Sequence, residues 1–208
     1  MRPLTTRVLK MINWPVLVWL TAFALLFVFT NSRAETDSEF TLTTTLEGRY
    51  FINDPAFAQQ HEDENFSLAL DPEYYIEWAD GDQSFTAALF GRVDQNDDER
   101  THADIRELFY RYVGDSTEWR VGIRRVFWGV TESVHLVDVI NQDDLVENPD
   151  GEDKLGQPMV NLAWVTDYGN FDFFVLPYFR ERTLPGEEGR LRGPIPFTQD
   201  DPVYEDSD

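Results

Sequence analysis

The stretch FSLALDPEYYIEW, from Phe66 to Trp78, alternates apolar and polar residues along almost its whole length. Side chains on a β-strand point to opposite faces in turn, so this alternation predicts a strand with one apolar and one polar face. Such a strand is long enough to cross a bilayer at a tilt. Its apolar face begins at Phe66 and takes every second residue: Leu68, Leu70, Pro72, Tyr74, Ile76 and Trp78.

The same period of two recurs in other stretches of the chain, and the residues beyond 34 show no helical periodicity. We therefore predict an all-β protein with about seven strands. Besides 66–78, the predicted strands are 40–50, 85–93, 107–113, 119–124, 160–166 and 171–182.

The predicted connections alternate between long and short in chain order. A transmembrane barrel has this pattern because its turns are tight on one side of the membrane and its loops are long on the other. A soluble β-sandwich also has one apolar and one polar face, but Greek-key connections give no reason for the alternation in length. The pattern favours an antiparallel up-and-down transmembrane β-barrel. The short connections are 79–84, 114–118 and 167–170, and the long ones are 52–65, 94–104, 126–158 and the segment from 183.

Aromatic residues support the same fold, because they cluster beside the predicted short turns. A transmembrane barrel carries such a girdle at each membrane interface. Single-chain bacterial barrels have an even number of strands, so we expect residues 35–208, with seven strands, to be the incomplete N-terminal portion of a larger barrel. The girdle would comprise Trp78, Phe85, Tyr112, Trp119, Tyr168 and Phe171.

The N-terminal residues predict export. Basic residues precede an apolar run at 14–30, and small residues up to Ala34 fit a signal-peptidase site, so 1–34 is predicted to be a cleaved signal peptide. An uncleaved membrane anchor is the alternative. The chain has 208 residues, a formal net charge of -22 and no cysteine. Its acidity argues against nucleic-acid binding, and without cysteine it forms no disulfide. These features predict a bacterial outer-membrane location.

Charged residues on the polar face of the strands are expected to face a watery lumen, because hydrocarbon cannot solvate charge. Both signs of charge occur on this face. Such residues would either screen solutes through a transverse field or pair mutually inside a plugged barrel, and the sequence leaves both open. The predicted pore-lining residues are Arg49, Glu73, Glu77, Arg92, Arg111, Arg120, Arg124 and Arg180.

The long connection 126–157 has apolar and aromatic residues before it turns acidic, unlike a loop that lies wholly in water. Loops of this length in compact proteins are usually functional or disordered. We predict that this loop folds back into the barrel mouth and narrows the channel. The acidic segments of the loops are otherwise expected to be solvated. The predicted constriction residues are Trp128, Asp138, Asn141, Asp143 and Asp144.

Residues 120–144 resemble a large uncharacterised family of proteobacterial outer-membrane barrels. That family carries a Gly-Arg-Gln strand, a Trp-Gly pair and an Asp-x-x-Asn-Pro-x-Asp loop. This chain has Ile123 in place of the arginine and Gln142 in place of the proline. The resemblance implies a porin-like barrel that moves hydrophobic or organic-acid compounds and has no catalytic residue. It rests on Gly122, Trp128, Gly129, Asp138, Val139, Ile140, Asn141 and Asp143.

Ser133, His135 and Asp138 lie close together in the sequence, but no Gly-x-Ser-x-Gly elbow surrounds the serine, and no histidine pair has metal-ligand spacing. We therefore predict a non-enzymatic channel for passive diffusion or uptake of small solutes, without cofactor or metal. Outer-membrane lipid, lipopolysaccharide and barrel-assembly machinery are the expected partners, and a homotrimer is one assembly open to such a barrel. The alternative function is a soluble periplasmic β-sandwich that binds polysaccharide or a partner protein.

Overall fold

The computed structural model describes residues 36–61, 63–126 and 139–192, which form one antiparallel β-sheet. The strands are β1 (Asp37–Tyr50), β2 (Glu64–Trp78), β3 (Gln83–Asp94), β4 (His102–Val113), β5 (Thr117–Arg124), β6 (Gln157–Thr166) and β7 (Gly169–Val175). Each strand pairs with the next along the chain, which confirms the predicted all-β, up-and-down sheet of seven strands. Within the described residues the sheet is not closed, because β1 and β7 lie at its two edges. No helix of these residues is long and apolar enough to cross a membrane.

The signal peptide predicted at 1–34 lies outside the described residues. The same holds for Trp128 and Asp138 of the predicted constriction loop. Asn141, Asp143, Asp144 and all the predicted pore-lining residues are described.

The observed connections alternate in length, as predicted. Because successive strands are antiparallel, the short turns lie at one end of the sheet and the long loops at the other. We call these the turn end and the loop end. The turns are 79–82, 114–116 and 167–168, and the loops are 51–63, 95–101 and 125–156.

The last strand is shorter than predicted. β7 ends at Val175, whereas the sequence pattern predicted a strand that continued to Arg182. If the register of β6 and β7 continued, Pro158 would face Pro177. Proline has no backbone N–H, so this pair of residues would lack the donors for its inter-strand hydrogen bonds, and the pairing of β6 with β7 ends before it. The prediction that Arg180 lies on a strand is therefore wrong.

β4 begins at His102, earlier than the predicted start at 107, because a β-bulge interrupts the alternation. The register shifts between Ala88 and Leu89 of β3, so Arg106 of β4 has no partner in the ladder. A bulge re-aims the side chain of its extra residue. Arg106 is buried on the polar side of the sheet, where it contacts other charged groups.

The two faces of the sheet have the reverse of the burial seen in a water-soluble protein, in which large apolar side chains fill the interior. The apolar face is exposed: the exposed fraction is 82% for Leu46, 51% for Phe173 and 40% for Leu68. On the polar face, Arg92 is 8% exposed and Asn161 only 1%. Among the described residues, more polar and charged side chains than apolar ones are buried. The interior of this fold therefore consists largely of polar groups.

Aromatic side chains lie on the apolar face at the turn end. Trp78 stacks on Tyr110 with ring centroids 6.0 Å apart, and Trp164 lies 6.2 Å from Phe171. They form a band across several strands of the sheet. Other aromatic residues on this face near the turns are Phe85, Tyr112 and Trp119.

Gly122 is required by the backbone of β5. Its φ is +139°, and a Cβ added there would lie 2.2 Å from the carbonyl oxygen of Leu108 and 2.7 Å from Cα of Phe109. Any side chain would therefore clash with β4, and only glycine tolerates this conformation without strain. The close approach of β5 to β4 occurs between Arg120 and Arg124, which lie on the polar face.

Candidate functional site

The charged face of the sheet carries two groups of side chains. The first lies at the loop end, between the strands and the β5–β6 connection, and we call it the buried ion cluster: Glu47, Arg92, Asp94, Arg100, His102, Asp104, Arg106, Asp144 and Glu147. The second extends from the middle of the sheet to the turn end, and we call it the open arginine group: Arg111, Glu118, Arg120, Arg124 and Asn161.

Arg92 of β3 and Glu147 of the β5–β6 connection form a buried, two-pronged ion pair. Arg92 Nε donates to both carboxylate oxygens, at 3.0 and 2.9 Å, and Nη2 lies 2.7 Å from Oε2. Arg92 Nη1 also donates to Ser67 Oγ at 2.7 Å. Burial raises the pKa of Glu147, and the charge of Arg92 limits this rise. Since separating a buried pair leaves an unpaired charge, Glu147 holds the connection on β3.

Asp144 of the same connection has no exposed surface. Its carboxylate lies 2.6 Å from Arg106 Nη2 and 3.7 Å from His102 Nε2, and it accepts a hydrogen bond from the Thr183 hydroxyl. Burial by itself would raise the pKa of Asp144, but the nearby His102 imidazole, the charge of Arg106 and the hydrogen bond from Thr183 hold that pKa well below its ordinary value. Ionised Asp144 therefore ties the connection to β4 and to the segment after β7.

Arg100 of the β3–β4 loop completes the cluster toward β1. Its Nη1 lies 2.8 Å from Asp94 and 3.1 Å from Glu47. Burial alone would lower the pKa of Arg100, but these carboxylates raise it above its ordinary value. Arg49 also binds Glu47, at 2.7 Å, and donates to Asn148 Oδ1 at 3.3 Å. β1 is thereby joined to the β3–β4 loop and to the β5–β6 connection.

Asn141 fastens the two ends of the β5–β6 connection. Its amide nitrogen donates to the carbonyl oxygens of Arg124 and Leu155, both at 2.8 Å, and its Oδ1 accepts from the backbone N–H of Val126 at 2.8 Å. Asp143 pairs with Lys154 on the opposite side of the connection. The described members of the predicted constriction loop thus lie against the charged face or stabilise the loop that does.

Arg180 reaches the charged face from the coil after β7. It donates to the carbonyl oxygen of Gly156 at 2.9 Å and pairs with Asp104. Its position is therefore set by the path of the coil over the end of β6.

The two predicted acidic lining residues of β2 form no ion pair with the buried ion cluster, although Glu73 borders a cavity that Arg106 and Glu147 of that cluster also line. Glu77 accepts a hydrogen bond from the Tyr75 hydroxyl. Glu73 is exposed and borders a cavity of about 110 Å³ that is also lined by Arg125 and Asp153. Neither carboxylate takes part in an ion pair among the described residues.

The open arginine group brings positive charges together around one amide. Arg120 and Arg124 each donate from Nη1 to Asn161 Oδ1 at 3.0 Å. The two nitrogens are therefore at most about 6 Å apart, where two unit charges repel by roughly 3 kcal/mol at an effective dielectric constant of about 20. Glu118 offsets part of this repulsion, because it lies 2.8 Å from Arg111 Nε and pairs with Arg120.

The β3–β4 loop also binds the segment 183–192. Both carboxylate oxygens of Asp97 lie 3.2 Å from the backbone nitrogen of Gly186, which donates to them. Burial raises the pKa of Asp97. Arg190 in turn donates to the carbonyl oxygen of His61 at 3.0 Å. The loop end is therefore a connected structure in which three loops contact one segment.

Sequence reasoning missed much of the buried ion cluster. The acidic loop segments were expected to be solvated, and this is wrong for Asp97 and Glu147, which are 5% and 3% exposed. Arg106 was missed because the β-bulge interrupts the alternation of β4, so the sequence pattern does not show on which face of the sheet this side chain lies. A usable signal existed for Arg100, since a cation within the acidic stretch DQNDDER indicates local charge pairing.

No family model matches this chain, and no curated protein or solved structure matches it either. In the part of the chain that the structure describes, no group of three or more histidine and carboxylate side chains is placed to hold a metal ion. The resemblance of residues 120–144 to outer-membrane barrels stays a prediction. Function is therefore inferred from the exposed apolar face and the buried charged face.

Proposed function

We propose that this chain forms part of the wall of a porin-like β-barrel in the bacterial outer membrane, through which small solutes diffuse. The apolar face of the sheet would contact lipid, and the charged face would line the lumen. The β5–β6 connection would lie inside the lumen and narrow it. The observation that carries this proposal is the exposure of the apolar face together with the burial of polar groups on the opposite side.

The apolar face of β2 has the height of a bilayer. It extends from Phe66 to Trp78, and at about 3.3 Å per residue this corresponds to about 40 Å along the strand. At a tilt of about 40°, typical of transmembrane barrels, the same stretch spans about 30 Å along the membrane normal, which is the thickness of the hydrocarbon core. Aromatic residues at the turn end, such as Trp119, would then lie at one membrane interface.

The two edges of the sheet require additional strands in this proposal. β1 and β7 each leave one side of their backbone without a neighbouring strand within the described residues. Hydrocarbon offers no hydrogen bond to such groups, so a sheet is stable in a bilayer only when it closes. We therefore expect further strands to pair with both edges and complete the barrel.

The ion pairs of the charged face favour a narrow passage over a wide pore. Arg92, Arg100 and Arg106 each contact a carboxylate, so the loop end of this face is occupied by paired charges. Arg111, Glu118 and Arg120 of the open arginine group remain partly exposed and would offer charge to a passing solute. Such a surface selects solutes by charge as well as by size.

A soluble β-sandwich that binds polysaccharide or a partner protein is the alternative function. In such a fold a second layer would cover the apolar face of the sheet. The described residues supply no second sheet, and Leu46 and Phe173 stay exposed on that face. This exposure favours the membrane barrel.

Membrane fractionation and conductance together test the proposal. A barrel should remain in the outer-membrane fraction after a carbonate wash and should form ion channels in a planar lipid bilayer. A sandwich would be released by the wash and would conduct no current. Release of the native protein by carbonate would therefore contradict the assignment of the apolar face to lipid.

Charge reversal tests the assignment of the charged face to the lumen. The double substitution Arg120→Glu and Arg124→Glu should shift ion preference toward cations, measured as the reversal potential in a salt gradient. Arg182→Glu, in an exposed arginine outside the strands, is the matched control. Equal reversal potentials for the double variant and the wild type would remove these arginines from the passage.

A further inference from the structure

We propose that Arg120, Arg124 and Asn161 form a binding site for an oxyanion, namely a carboxylate or phosphate group of a solute. This inference deepens the proposed function and rests on it for the location of the site in a lumen, although binding itself does not require conduction. Two guanidinium groups converge there on one amide oxygen. One of them has no carboxylate partner among the described residues.

Asn161 holds the two arginines together. It is 1% exposed, and its Oδ1 accepts a hydrogen bond from Nη1 of each arginine at 3.0 Å. Its amide nitrogen donates to the carbonyl oxygen of Phe173 at 3.3 Å, which sets the direction of Oδ1. The two guanidinium groups are therefore kept side by side on β5.

The side chain of Arg124 is oriented but not neutralised. Its guanidinium lies 5.0 Å from the ring centroid of Phe109 and donates to Asn161. Its Nε is buried without a hydrogen-bond partner in the described part of the chain. No ion pair among those residues involves Arg124. The Nε of Arg100 is also buried without a partner, so the lack of an ion pair among the described residues, and not the buried Nε, is what sets Arg124 apart on this face.

Other arginines of the charged face have carboxylate partners, and they are the comparison for Arg124. The three arginines of the buried ion cluster each contact a carboxylate, and Arg111 and Arg120 share that of Glu118. Arg124 departs from this pattern. Glu107, Glu118 and Asp172 lie near enough to act on the charge of Arg124, but none of them forms an ion pair with it. A carboxylate or phosphate would supply the missing negative charge, and its oxygens match the planar fork of a guanidinium group.

Isothermal titration calorimetry of the native protein in detergent micelles tests the site, with succinate, inorganic phosphate and the uncharged solute glycerol as separate probes. We expect at least one of the two anions to bind and glycerol not to bind, and the tighter anion identifies the preferred group. Arg124→Gln should weaken anion binding by about tenfold or more. Arg182→Gln removes the same charge from an exposed arginine that donates to Gln142, and it should leave the affinity unchanged.

Three results would overturn the site. These are no binding of either anion, equal affinities of the wild type and Arg124→Gln, and an equal loss of affinity in Arg182→Gln, which would mean that binding follows net charge. If Arg124→Gln does not fold, as judged by circular dichroism, phenylglyoxal labelling of the wild type followed by mass spectrometry decides. Bound anion should protect Arg124 and not Arg182, and the absence of protection would refute the site.

The two proposals fail in distinguishable ways. Anion binding in micelles without conductance in bilayers would refute the channel and leave the site intact. Conductance without anion binding would refute the site and leave the channel intact.

Discussion

Replacing Asp144 with alanine should detach the β5–β6 connection from the charged face. Asp144 has no exposed surface and lies 2.6 Å from Arg106, which is 6% exposed. Removing one partner of a buried ion pair costs about 3–5 kcal/mol, because the other charge stays buried. Arg106 keeps a second carboxylate, Asp104, at 3.3 Å. We therefore expect the free energy of unfolding to fall by about 3 kcal/mol, near the lower limit of this range.

Urea unfolding should show this loss as a lower midpoint with an unchanged slope. Hydrogen–deuterium exchange should increase in residues 139–156 more than in the strands, because the carboxylate anchors that connection. Asp150→Ala is the matched control, since Asp150 belongs to the same connection but is exposed. Its expected effect is below about 0.5 kcal/mol.

Indistinguishable unfolding and exchange for Asp144→Ala and Asp150→Ala would refute this reasoning. The carboxylate would then not hold the connection in place. A double-mutant cycle with Arg106→Leu adds a second check, because residues in direct contact should show a coupling energy of about 0.5–3 kcal/mol. Additive effects of the two substitutions would contradict the ion pair.

Three further predictions follow from the backbone, from a buried acid and from the apolar face. Gly122→Ala should lower the free energy of unfolding by about 2–4 kcal/mol, because φ is +139° and a Cβ would meet the backbone of β4. Gly91→Ala is the control: a Cβ at this position would meet no atom within 4 Å, so the free energy of unfolding should change by less than about 1 kcal/mol. Burial raises the pKa of Asp97, so the folded protein keeps this proton to higher pH than the unfolded chain and loses stability as the pH rises above about 4. Asp97→Asn should remove that part of the pH dependence in urea unfolding at several pH values, and an unchanged curve would contradict the assignment. If the exposed face of Leu70 contacts lipid, Leu70→Arg should make the free energy of folding into lipid vesicles less favourable by about 2–4 kcal/mol. Gln95→Arg, in an exposed loop, is the control. An effect of Leu70→Arg no larger than that of the control would mean that the face contacts water.

The positions and faces of the strands could be predicted because they depend on neighbouring residues. The alternation from Phe66 to Trp78 needs no knowledge of a partner strand. The end of β7 and the extra residue Arg106 could not be predicted, because both depend on the register between two strands. Pro177 stops a ladder only because Pro158 would lie opposite, and a bulge is visible only once two strands are aligned.

The charged site could be predicted in part, for the same reason. The phase of β5 indicated that Arg120 and Arg124 share a face, because a period of two is set by local backbone geometry. Asn161 gave no comparable signal, since one amide among apolar residues of β6 does not indicate that it will meet two arginines.

Local pattern was sufficient for the seven strands, the long and short connections and the separation of an apolar from a charged face. It did not show which charge neutralises which, because a carboxylate attracts every arginine and the partner depends on the path of the chain. Asp144 meets Arg106 since the β5–β6 connection folds back over β4. The same path leaves Arg124 without an ion pair among the described residues, and the proposed anion site depends on this three-dimensional arrangement.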